Sequence, residues 1–362
     1  MKHGIVGRTA EGFFRYQAWP TVCKDENGVL YVGASGHRLG HICPFGKDLL
    51  YISNDEGKTW SAPMIINDTA LDDRDAGLTS LGDGKLLLTY FNWPRESRYY
   101  LGNPKNIENG THPMTYPLTY GMLKVWETMP DEANHGGSFV RLSKDSGKTW
   151  GKAVKVPVSS PHGPIKLSNG KLLFLGKEYY SGEYEQGAIF AFESSDDGAT
   201  WQYLAQIDFP DGCNKDHIHE PDCVELPDGR ILGALRGQGS PVAYGFSVFT
   251  CMSEDGGKTW THPKALDICG SPPHLFLHSS GAVVMTYARR RAPYAQCARI
   301  SYDGGETFGE EIVLRDDGPD ADLGYPSTVE LSDGSLMTVY YQKAAGDSFC
   351  SILYTVWDLP QK

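Results

Sequence analysis

The sequence is short of positive charge. Its 362 residues carry 33 Lys and Arg against 45 Asp and Glu, for a net charge of −12. Recognition of nucleic acid through its phosphates needs a basic footprint, so no nucleic-acid partner is expected. A small anionic ligand remains compatible, because a local arginine cluster can oppose the global charge. No apolar run approaches the roughly 18 residues that a membrane helix needs, and no membrane role is expected. The opening stretch MKHGIVGRTAEGFF lacks the basic start and apolar core of a secretory leader. The chain as written is therefore expected to be cytoplasmic, and secreted if a leader was removed. Its eight cysteines form no CxxC pair, so neither a zinc site nor a redox couple is indicated. They are expected to be buried free thiols. No cofactor is implied, and the oligomeric state is not legible.

What the sequence does have is repetition. The octapeptide Ser-x-Asp-x-Gly-x-Thr-Trp occurs at 53–60, 143–150, 194–201 and 253–260, and a fifth copy at 301–308 ends in Phe308. Within it, Asp and Gly favour a tight turn whose Asp side chain accepts backbone N–H bonds. The closing aromatic is placed to pack between sheets. These boxes are outer turns of a β-fold and carry no chemistry. A second repeat, strand–Gly turn–apolar strand, places its turns at Gly28, Gly84, Gly170, Gly229, Gly281 and Gly334, at intervals of 56, 86, 59, 52 and 53 residues. Hairpins at this spacing, with no long helical period between them, predict an all-β, six-bladed β-propeller of four-stranded antiparallel blades with Asp-box turns. A single domain over 1–362 is expected. The sixth unit has no box, and its missing outer strand is expected from the N-terminus near Ile5 and Val6. The second unit holds an aromatic-rich insertion at about 93–136, read as a lid or specificity loop with a short helix near Met122 to Thr128.

In such a ring, residues at the start of each first strand and the end of each second strand share one rim. Blade by blade these include Gln17, His37 and Arg38; Asp73, Arg74 and Asp75; His162; His219, Glu220 and Arg236; His274 and Arg291; and Tyr325. Arg, His and carboxylates recurring at one rim from six blades point to a convergent ligand site. His217 and His219 with Asp216 and Asp222 would offer metal donors, but the spacing fixes no third ligand, so no metal site is assigned.

The boxes and hairpins together resemble the sialidase (neuraminidase) superfamily of BNR-repeat propellers over nearly the whole chain. Within that resemblance, His219-Glu220-Pro221 leading to Arg236 matches the family's blade-four pair. Arg291 is the preferred match for its third arginine, and Gly324-Tyr325-Pro326 for its blade-six tyrosine. Two elements depart. The family's blade-one Arg-Ile-Pro is Ala18-Trp19-Pro20 here, and Gly36-His37-Arg38 brings no carboxylate where the family has its acid. The resemblance implies a glycoside hydrolase releasing a terminal acidic sugar, sialic acid or a related anionic sugar, from a glycan. Tyr325 would act at the anomeric carbon with Glu220 drawing off its proton, and Asp75 or His37 would be the acid. Arg236 and Arg291, with Arg38 or Arg74, would hold the carboxylate; Asp73, Gln17, His162, His219 and His274 would contribute further contacts. Two other readings stand beside it: a lyase acting on a uronate with a His or Tyr base, favoured by the histidine supply, and a non-catalytic carbohydrate-binding propeller.

Overall fold

The five boxes build the same turn. In the first, Asp55 accepts the Thr59 N–H at 2.9 Å and the Thr59 hydroxyl at 2.6 Å, while the Ser53 hydroxyl accepts the Gly57 N–H at 2.8 Å. The other four repeat these bonds, as at Asp145 with Thr149 and Asp303 with Thr307. Each box closes the hairpin between the third and fourth strands of a blade. Its aromatic lodges in the seam to the previous blade: Trp150 packs with Tyr31 and Leu50 of blade one, and Trp201 with Leu87 of blade two.

The computed structural model describes residues 1–93, 116–130 and 136–360. Strand β1 (Lys2–Gly7) opens the chain. Blade one is β2 (Tyr16–Lys24), β3 (Leu30–Arg38), β4 (Lys47–Ser53) and β5 (Met64–Asn67); blade two is β6 (Asp73–Gly82), β7 (Lys85–Asn92), β8 (Gly137–Ser143) and β9 (Val154–Val156). Blade three is β10 (Ile165–Lys166), β11 (Leu172–Lys177), β12 (Ile189–Ser194) and β13 (Gln202–Ile207); blade four is β14 (Ile218–Glu225), β15 (Ile231–Gln238), β16 (Phe246–Ser253) and β17 (Lys264–Ala265). Blade five is β18 (His274–Leu277), β19 (Val283–Arg289), β20 (Ala295–Ser301) and β21 (Ile312–Arg315). Blade six is β22 (Gly324–Glu330), β23 (Leu336–Lys343) and β24 (Cys350–Trp357), and β1 completes it by pairing antiparallel with β24. The N-terminus thus supplies the strand that the boxless sixth unit lacks, and the edge of β24 is covered.

The middle strands are buried on both faces because blades pack face to face. Leu86, Leu87 and Leu88 of β7 are all at most 1 % exposed, and seams such as Val32, Val339 and Tyr341 between blades one and six form the core. All eight cysteines are free thiols, most of them in these seams. The insertion carries helix α1 (Tyr116–Trp126), which starts six residues earlier than the sequence suggests. The rest of the expected lid, 94–115 and 131–135, lies outside the described residues.

One feature of the innermost strands positions the site. Four of them bulge at equivalent places: β2 between Ala18 and Thr21, β6 between Arg74 and Gly77, β14 between His219 and Pro221, and β22 between Gly324 and Ser327. The extra residue turns its side chain out of the strand's alternation. Trp19, Asp75 and Tyr325 sit at these bulges with φ of 53°, 55° and 51°, a region that non-glycine residues rarely adopt and that clusters at functional sites.

Candidate active site

Three of the bulges place Asp75, Glu220 and Tyr325 on a cavity of about 1200 Å³ at one end of the ring axis, between the starts of the first strands and the ends of the second, while Trp19 at the fourth is buried against Arg74. At its floor, the Tyr325 hydroxyl donates to Glu220 Oε1 at 2.5 Å. Arg236 donates from Nη1 to Glu220 Oε2 and, at 3.1 Å, to the Tyr325 oxygen. Its Nη2 is held by Gln238 at 2.6 Å. Burial alone would raise the Glu220 carboxyl, but the Arg236 charge and the Tyr325 hydrogen bond hold it below its ordinary value. Burial and the Glu220 charge push the Tyr325 phenol well above its ordinary value. The resting pair is therefore phenol and carboxylate.

The second carboxyl behaves oppositely. Asp75 is 5 % exposed and its Oδ1 has no hydrogen-bond partner among the described residues. Burial pushes its pKa up to about 7, against the pull of Arg74. Two carboxyls whose environments drive them apart form an acid–base assignment: Glu220 ionised, Asp75 protonated up to neutral pH.

Three arginines line the same cavity, Arg74, Arg236 and Arg290. The Nε of each is buried without a hydrogen-bond partner among the described residues. Arg74 lies between two indoles, its guanidinium carbon 4.0 Å from the Trp19 ring centre and 4.4 Å from that of Trp93. Its Nη1 is anchored on the His41 carbonyl at 3.0 Å and on Asp72 at 3.2 Å. Arg290 lies 5.4 Å from the Tyr325 ring and donates to the Tyr341 hydroxyl at 3.3 Å. Guanidinium groups so arranged suit a carboxylate, which they bind bidentately.

The cavity thus gathers Tyr325, Glu220, Asp75, Arg236, Arg74 and His219 from the residues expected there. The remaining expectations need correction. Arg291 is exposed and stacks 5.7 Å over Tyr244; strand alternation puts Arg289 on the outer side, bonded to Glu311, and so turns Arg290 inward. Arg38 is fully buried and spent on Asp72, contacting both carboxylate oxygens. Asp73 points back into its blade, where Thr69 and Asn92 donate to it. Gln17 bonds Tyr51 and Thr9 on the outer side. His37 is exposed and stacks on Phe14 at 4.4 Å. His162 and His274 lie one residue beyond Pro161 and Pro273, deeper on the axis, where their rings meet edge to face at 4.7 Å. Burial pushes His162 down to about 3 and His274 well below its ordinary value, so both are neutral. His219 keeps to the rim, but Lys177 donates to its Nδ1 and its Nε2 meets the Asp216 carbonyl; Asp222 faces the axial channel. The metal donors considered in the sequence do not converge. Among the described residues, no group of three or more His, Cys, Asp or Glu side chains is arranged to hold a metal ion.

Trp93, Lys177, Glu178 and Tyr179, which stand at second-strand ends and so belong to the rim expected from the sequence, line the cavity as well, whereas Gln238 and Phe246 were not expected there. A signal for the bulges is in the chain: Pro follows the bulge residue in Trp19-Pro20, Glu220-Pro221 and Tyr325-Pro326.

The family model described as BNR repeat-like domain matches residues 107–339, and that described as BNR/Asp-box repeat matches 51–62. No curated protein matches the chain. Among solved structures, a protein of unknown function from Dyadobacter fermentans is similar with a TM-score of 0.77 and 24 % identity over 99 % of this chain and 98 % of that one. Trypanosoma rangeli sialidase is similar with a TM-score of 0.62 and 17 % identity, covering 94 % of this chain and 55 % of that one. The NanB sialidase of Streptococcus pneumoniae gives 0.67 and 13 %, covering 98 % and 70 %.

Proposed function

The chain belongs to the family of BNR repeat-like domains, and we propose that it is a sialidase-type glycoside hydrolase that releases a terminal acidic sugar from a glycan. The observation that carries this reading is the Tyr325–Glu220–Arg236 unit at the cavity floor. The sialidases among its structural neighbours support the same chemistry.

The sugar carboxylate is received by Arg74, Arg236 and Arg290. The Tyr325 oxygen attacks the anomeric carbon as its proton passes to Glu220 Oε1, and the glycosidic C–O bond breaks. The leaving oxygen takes the proton of Asp75. Water then cleaves the glycosyl–tyrosine bond: its proton goes to the Asp75 carboxylate, its hydroxyl to the sugar, and Glu220 returns its proton to Tyr325. A tyrosine nucleophile is the exception to the two-carboxylate scheme, and it suits an anionic sugar because a phenol avoids setting carboxylate against carboxylate. Elimination has less support. Of the histidines that favoured it, His37, His162 and His274 are outside the cavity, and burial holds His219 down at about 4.

The test is a screen of aryl glycosides and anionic oligosaccharides read by product mass. A product carrying the elements of water supports hydrolysis. An ultraviolet-absorbing unsaturated product would mean elimination, and binding without product would mean a lectin-like role.

A further inference from the structure

The blade-two insertion reaches the cavity through Trp93, which packs against Trp126 and Leu71. On α1, Trp126 is fully buried, donates from Nε1 to the Ala70 carbonyl at 2.6 Å, and packs with Leu71 and Trp93. Ala70 and Leu71 lead directly into Asp72, Arg74 and Asp75. Trp93, just beyond β7, has its ring centre 4.4 Å from the Arg74 guanidinium carbon, and that of Trp19 lies 4.0 Å from the same atom. With Nη1 anchored and two indoles packed against the guanidinium, Arg74 is held in one orientation, and its buried Nε has no partner among the described residues. Blade one's Arg38 is spent on Asp72, so on this side of the cavity the charge comes from Arg74 of blade two.

We propose that Trp93, seated by Trp126, is a positioning residue that holds the Arg74 guanidinium in place for the carboxylate of an acidic sugar, making this part of the insertion a specificity element. The inference rests on the reading of the cavity as an acidic-sugar site. An indole packed on a desolvated guanidinium contributes a cation–π attraction, and losing one is expected to lower affinity roughly tenfold, about 1.4 kcal/mol.

The test uses the full chain and two readouts. The first is the rate at which phenylglyoxal modifies Arg74, followed by peptide mass. The second is calorimetric titration with N-acetylneuraminate and with glucuronate, glucose serving as the neutral control. Modification of Arg74 is expected to be slow in the wild type, faster in Trp93→Ala and intermediate in Trp93→Phe, with the bound acid protecting Arg74. Trp93→Ala is expected to weaken the acid about tenfold, and Trp93→Phe to recover part of that loss. Trp126→Phe, which keeps an apolar plug but loses the bond to Ala70, should move both readouts in the same direction by less. Equal modification rates in wild type and Trp93→Ala, or failure of either acid to bind and protect Arg74, overturns the proposal. Binding and protection without turnover of any acidic aryl glycoside sinks the hydrolase reading and leaves the positioning role standing. Turnover with unchanged affinity in Trp93→Ala sinks the positioning role alone.

Discussion

Replacing Asp75 by Asn keeps the size and shape of a buried side chain and removes one ionisation. In the folded chain burial raises Asp75 from 3.8 to about 7, a shift of about three pH units, or about 4 kcal/mol at 1.36 kcal/mol each. The folded state holds the proton that the unfolded state releases near pH 4, so wild-type stability falls as pH rises from about 4 to about 7 and then levels off. Asn at this position removes that fall. Chemical denaturation should therefore find Asp75→Asn no more stable than wild type at pH 4 but more stable by up to about 4 kcal/mol at pH 8. Asp222 and Asp73, also raised, titrate in both proteins and cancel from the difference. In the activity assay, wild-type kcat/KM should decline above pH 7 as the acid ionises. The variant should lose about 10²- to 10⁴-fold in kcat on unactivated substrates and much less on aryl glycosides whose leaving group needs no proton. A stability difference that does not change with pH, or equal losses on both kinds of substrate, would refute the assignment of Asp75 as a protonated acid.

Arg290→Lys is expected to raise KM for an acidic glycoside by about tenfold or more, because a point charge replaces a bidentate fork, while Arg291→Lys leaves KM alone; the reverse order would restore the sequence-based choice. Ser143→Ala removes a buried hydroxyl that accepts the Gly147 N–H at 2.9 Å, and denaturant titration should show a loss of about 1–2 kcal/mol without loss of the active-site geometry. Deleting residues 2–7 removes β1 and leaves β24 as an open edge; a lower Tm and concentration-dependent association are expected, and an unaffected melting curve would contradict the strand exchange.

The fold was legible because its repeats are local. A box or a glycine hairpin needs only its own few residues to form, and their spacing counts the blades and exposes the sixth unit's missing strand. The site was legible only in part, because its decisive interactions join residues far apart in sequence. Arg38 looks free until Asp72 folds onto both of its amino groups. Choosing between Arg290 and Arg291 depends on Glu311, which holds Arg289 outward and sets the phase of the strand end. His162 and His274 were assigned to the rim from their place at the start of a first strand, but the first strands of blades three and five carry no bulge among the described residues, and both histidines lie deeper on the axis. Tyr325, Glu220 and Arg236 were legible because they sit in short local motifs, His219-Glu220-Pro221 with Arg236 at a fixed distance and Gly324-Tyr325-Pro326, that carry the family resemblance; the bulges that aim them were seen only in the fold.

The most direct test of the account is the turnover of an acidic aryl glycoside by wild type and by Tyr325→Phe, with binding of the free acidic sugar measured on both. The account predicts release of the sugar by the wild type, loss of that release in the variant, and retained binding, since Arg74, Arg236 and Arg290 are untouched. Release by Tyr325→Phe at the wild-type rate would contradict it.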